Sequence, residues 1–75
     1  MKTDIVKDHK DLVKNVMENA RDQIAKTDWY GPFGHNVIGL TLKSVADKIG
    51  TKYANQLIEE YDFTEELNIY PVEEK

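Results

Sequence analysis

The sequence predicts an all-α fold: a small three-helix domain, in which a long N-terminal helix is followed by a helical hairpin, with a short C-terminal extension. Apolar residues recur at spacings of three and four over residues 4–26, 37–49 and 52–61, the period of one helix face. The only prolines, Pro32 and Pro71, fall outside those three segments, where they cannot break a helix interior. Between the first two segments lies Trp29-Tyr30-Gly31-Pro32-Phe33-Gly34-His35-Asn36, rich in aromatics and turn residues, which reads as the corner joining two helices. A chain of 75 residues allows one domain, here spanning 1–75, whose core buries only about 60% of the unfolded surface.

The first helix is expected over about residues 4–26, with Thr3 or Asp4 accepting from the first-turn amides. Ile5, His9, Leu12, Val13, Val16, Met17, Ala20 and Ile24 share one face. The opposite face is charged, with Lys7–Asp11, Lys14–Glu18 and Asp22–Lys26 each one turn apart. At about 1.5 Å per residue the helix is roughly 35 Å long. It therefore outreaches the others, and a second subunit could cover the overhang, which makes a homodimer the expected assembly. Met17 reads as a core filler and His9 as a packing or surface residue, since a metal site needs about two or three further ligands and only His35 is available besides carboxylates.

At the corner, Gly31-Pro32 forbids continuation of the first helix, and Gly34 allows either a positive φ or close approach of a neighbouring backbone. Trp29, Tyr30 and Phe33 are expected to fold over the open end of the helical core. The competing reading is an exposed recognition surface, because aromatic residues on loops dominate interface hot spots. Asn36 is the expected N-cap of the second helix, and His35 a hydrogen-bonding or pH-sensitive contact.

The second helix, about 37–49, is apolar around more of its circumference than the first, as befits the central helix. Gly39 costs about 1 kcal/mol relative to Ala and implies a close helix crossing or an aromatic ring laid against it. Gly50 is expected to be a left-handed cap and Thr51 the N-cap of a third helix over about 52–61, burying Tyr53 or Ala54 together with Leu57, Ile58 and Tyr61. Thr64-Glu65-Glu66-Leu67 reads as one capped turn, and Ile69-Tyr70-Pro71-Val72 as extended. That apolar extension, residues 63–75, is expected either to pack back along the first helix or to dock on a partner, with Glu73, Glu74 and Lys75 frayed.

Residues 42–53 resemble the DNA-binding helix-turn-helix in their first half. Val45, Ala46, Ile49 and Gly50 match the motif's apolar, small, apolar and glycine positions. The second half departs from it, with Thr51, Gln56 and Glu59 where the motif has apolar residues. The resemblance implies a DNA-binding regulator using Lys43, Lys48 and Lys52. Against nucleic acid stand the acidic residues of the implied recognition helix and the single arginine, Arg21.

Charge is lopsided. The net value is −4, while residues 59–75 carry seven acidic side chains against one basic, a segment that repels nucleic acid and attracts basic partners. The chain has no cysteine, hence no disulfide and no thiolate metal site. It shows neither a signal-peptide pattern nor the roughly 20-residue apolar run of a membrane span, and a cytoplasmic location is expected. No phosphate cradle, carboxylate pair or nucleophile beside a base is apparent, so neither an enzyme nor a cofactor is expected. The leading expectation is a non-enzymatic acidic interaction module, a regulator or inhibitor that binds a larger protein through Trp29, Tyr30, Phe33, His35, Glu59, Glu60, Glu65 and Glu66. The alternatives are the DNA-binding regulator and a homo-oligomeric structural protein.

Overall fold

In the computed structural model the backbone is described for residues 2–72 and the side chains for residues 9–72. Four helices follow one another: α1 (Lys2–Lys26), α2 (Gly34–Ile49), α3 (Thr51–Tyr61) and α4 (Phe63–Leu67), with no strand among the described residues. The architecture is all-α, an N-terminal helix followed by a helical hairpin. The expected caps Thr3 and Asp4, the side chain of Ile5 and the Lys7–Asp11 pair lie outside the described side chains, as do Glu73, Glu74 and Lys75. Asp22 and Lys26 pair at 2.9 Å, whereas Lys14 and Glu18 form no ion pair.

α2 packs against both α1 and α3, and α1 and α3 also meet, through Arg21 and Glu60, in a body of 47 × 26 × 17 Å. Its core takes Met17, Ala20 and Ile24 from α1, Ile38, Leu42 and Val45 from α2, Ala54, Leu57 and Ile58 from α3, and Phe63 and Leu67 from α4. Of the α1 stripe, Val13 and Val16 are half-buried, while His9 and Leu12 are exposed. Among the described residues the stripe thus runs out of partners towards His9. Ala54 is buried and Tyr53 half-buried.

α2 begins three residues earlier than the sequence suggests, and the reason is Gly34. A Cβ on Gly34 would overlap the main-chain carbonyls of Asp28 and Trp29, so only glycine lets the corner close this tightly. Successive turns, Gly31 N–H to the Asp28 carbonyl at 3.1 Å and Gly34 N–H to Gly31 at 3.2 Å, lead straight into the helix. Val37 N–H then donates to Phe33 at 2.9 Å. Phe33 takes the N-cap position without any side-chain cap bond. Asn36 therefore sits inside the first turn, exposed, and does not cap.

Gly50 is the whole connection between α2 and α3. Its φ of 109° and ψ of 154° lie in an extended positive-φ region that is essentially glycine-only, not in the expected left-handed helical region. Gly50 also stands at the N-cap of α3, so Thr51 is the first helical residue and not the cap. The helix-turn-helix, by comparison, uses a turn of three or four residues. Gly39 has no atom within 4 Å of a Cβ built on it, so neither a helix crossing nor an aromatic ring accounts for it.

The remaining turns use left-handed non-glycine residues, Asp62 (φ 59°) ending α3 and Asn68 (φ 57°) ending α4. Both types tolerate that conformation because their short polar side chains bond locally. Thr64 does not cap α4, which starts at Phe63. Its hydroxyl instead donates to the Ile69 carbonyl at 2.8 Å, while Ile69 N–H donates to the Phe63 carbonyl at 3.2 Å. These bonds turn the extension onto the groove between α2 and α3, not along α1. There Asn55 of α3 holds it through Val72.

Candidate interaction surface

The aromatic corner divides into a buried part and an exposed part. Trp29 is half-buried, and its indole Nε1–H donates to the Ile24 carbonyl at 3.1 Å. Its ring meets Phe63 edge-on at a centroid distance of 5.0 Å and Tyr61 at 5.9 Å. Phe63, fully buried, stacks on Tyr61 at 5.3 Å. Edge-to-face and offset pairs at such distances add to the burial of each ring. Trp29 thus locks the end of α1 onto α4.

Tyr30 is exposed, and its hydroxyl donates to the Glu66 carboxylate. That hydrogen bond holds the phenol pKa above its ordinary value, with desolvation and the neighbouring charge adding to the effect. Glu60 reaches back to α1, where Arg21 grips it with Nε at 2.9 Å and Nη2 at 2.8 Å. The hydrogen bonds from Arg21 hold the Glu60 carboxyl below its ordinary value. The same bonds raise the guanidinium's own pKa.

All four of the expected acidic residues are exposed; Glu60 and Glu66 are engaged within the chain by Arg21 and Tyr30. His35 is exposed on the first turn of α2. No group of three or more His, Cys, Asp or Glu gathers among the described residues. No helix among them is long and apolar enough to cross a membrane.

Phe33 is 72% exposed and lies beside Gln23, Thr27 and Val37 around a shallow cavity of about 280 Å³. Phe33, Val37 and Leu40 stand at i, i+4 and i+7, so they form one line along α2. Leu40 is 67% exposed. With Val16 and Ala20 of α1, Val37 and Leu40 line a cleft of about 370 Å³ between the two helices, with Lys48 also on the lining. The structure therefore brings Tyr30 to Glu66, packs half-buried Trp29 against the core, and sets Phe33 at the head of an apolar strip.

In the sequence alone Val37 and Leu40 look the same as the buried apolar residues of this helix. The signal that could have found them is the apolar surplus of α2: a helix with two neighbours leaves part of its circumference uncovered. Such a strip gains free energy by losing water to a partner, and the carboxylates of α3 and α4 give that partner a charge preference. No protein-family model, curated protein or solved structure matches the chain.

Proposed function

We propose that this protein is a non-enzymatic interaction module, a small cytoplasmic regulator or inhibitor that docks on a larger protein. The strip Phe33, Val37 and Leu40 supplies the apolar contact, and the corner residues Tyr30 and His35 with the carboxylates Glu59 and Glu65 supply orientation. The observation that carries this reading is the exposure of two large apolar side chains, Phe33 and Leu40, in line along one helix beside an open cleft. Burial of such a pair is worth about 1.5–3 kcal/mol per side chain. An aromatic anchor flanked by polar groups is the usual composition of an interface hot spot.

The test is affinity capture from nuclease-treated lysate of the source organism, using the wild-type chain and the double variant Phe33→Asp, Leu40→Asp. Both positions are exposed, so the variant should keep its helical circular dichroism. One stoichiometric protein retained by wild type and lost by the variant supports the reading. Equal recovery by both, or recovery of the bait alone, refutes it. Sedimentation of the bait as a dimer that the variant dissociates would assign the strip to self-association instead.

A further inference from the structure

We propose that the groove between α2 and α3 is a docking site for an extended peptide segment of a partner protein, and that residues 69–72 of this chain occupy it in cis as a displaceable stand-in. The preferred segment carries one bulky apolar side chain followed by a carboxylate. This goes beyond the α1–α2 strip and uses a different surface.

The groove reads main chain. Asn55 donates from Nδ2 to the Val72 carbonyl at 2.6 Å and accepts the Val72 N–H on Oδ1 at 2.9 Å. This is the pair of bonds that a neighbouring β-strand would offer, and it is indifferent to the side chain of the residue held. The segment now seated there fits incompletely. Tyr70 and Val72 are 65% and 62% exposed, and a cavity of about 290 Å³ remains beside Leu42, Ala46 and Ile58. That volume is at the lower edge of sites that hold small ligands, roughly 300 Å³.

Gly39 forms part of the same lining, and no packing neighbour requires it to be glycine. A side chain at this position of α2 would project into the empty space, so the helix forgoes propensity where the groove stays open. Lys43 is the one charged residue among the described residues of the lining, which sets the preference for a carboxylate on the incoming segment. The chain's own segment has this chemistry in sequence, running Ile69-Tyr70-Pro71-Val72-Glu73-Glu74. Its tether is light. Ile69 is fixed by Phe63 and Thr64, whereas residues 70–72 are held by hydrogen bonds through the Asn55 pair alone among the described residues.

The experiment titrates the isotope-labelled full chain with a synthetic peptide of the sequence of residues 67–75, followed by amide chemical shifts. It is repeated on Val72→Pro, which lacks the N–H that Asn55 accepts. A cis competitor acts at an effective concentration on the order of millimolar. Its weakening should tighten trans binding at least tenfold, with shifts centred on Gly39, Lys43, Ala46 and the Asn55 side-chain amide. Adding Asn55→Ala to Val72→Pro should weaken binding at least tenfold. Gly39→Met, which fills the cavity with a good helix former, should block binding while helical circular dichroism is retained.

Groove resonances unmoved in Val72→Pro at about 2 mM peptide, near the effective concentration of the cis segment, would overturn the proposal, as would binding indifferent to Asn55→Ala or Gly39→Met. Dimerisation with exchange of the extensions would overturn it by assigning the groove to a second copy. Phe33, Val37 and Leu40 are unaltered in every variant, so failure here leaves the reading of the strip standing.

Discussion

Replacing Gly39 with alanine should stabilise the protein, an uncommon outcome for a substitution in the middle of a central helix. Gly39 lies six residues into α2, and a Cβ there meets no atom within 4 Å. The change therefore adds no clash and removes the conformational freedom that glycine confers on the unfolded chain. The gain is about 0.8–1 kcal/mol. Unfolding entropy near 2.1 cal/mol/K per residue comes to about 0.16 kcal/mol/K for this chain, so Tm should rise by roughly 5–6 °C. Thermal unfolding followed by far-ultraviolet circular dichroism measures it directly.

Gly34→Ala is the matched control. Its Cβ would run into the Asp28 and Trp29 carbonyls, and neither backbone can yield without opening the corner, so a loss of about 1–3 kcal/mol or more is expected. A Gly39→Ala protein that melts at or below the wild-type temperature would refute the reasoning. It would mean that some unseen packing at this position outweighs helix propensity.

Three further outcomes follow from the same geometry. Gly50→Ala meets no steric neighbour, yet a φ of 109° with ψ of 154° costs a non-glycine residue about 1–3 kcal/mol; the denaturation midpoint in urea should fall accordingly. A double-mutant cycle of Arg21→Gln and Glu60→Gln should give a coupling of about 0.2–1 kcal/mol at neutral pH, the range for a pair this exposed. Glu60 has a lowered carboxyl pKa in the folded protein. Its contribution is therefore present above the ordinary carboxylate value and lost as pH falls through the folded one, and the coupling should vanish in acid. Phe63→Ala should cost about 3–5 kcal/mol, a large share of the roughly 4–11 kcal/mol that a chain of this length commands; calorimetry should show an unfolded or barely folded variant.

The helices were legible because periodicity and punctuation agreed. Met17, Ala20 and Ile24 keep the helical spacing and are buried together, as are Ile38, Leu42 and Val45. The boundaries went astray where a tertiary contact overrode local preference. Gly34-His35-Asn36 looks like a poor helix start followed by a good cap, yet the carbonyls pressed against Gly34 set the first turn there. Asp62 and Asn68 adopt left-handed conformations that nothing in the local pattern demands, and Asn68 redirects the extension away from α1. The Arg21–Glu60 bond joins residues 39 positions apart and could not be read from spacing. The interaction strip was hidden for a simpler reason: exposed Leu40 is the same residue type as buried Leu42, and only the placement of α1 and α3 around α2 decides which of them meets water.

The position of Trp29 gives the molecule a built-in optical reporter. It is the only tryptophan in the chain, and its ring lies against Tyr61 and Phe63, more than thirty residues away. Its emission therefore senses whether the two ends of the fold are joined, whereas circular dichroism at 222 nm sums helical turns wherever they are. Coincident emission and dichroism curves would mark a single cooperative transition. An emission change that precedes the dichroism would instead record α4 and its extension lifting off a still-helical α1–α2–α3 body, a partial opening that exposes the aromatic cluster while most helical turns remain intact.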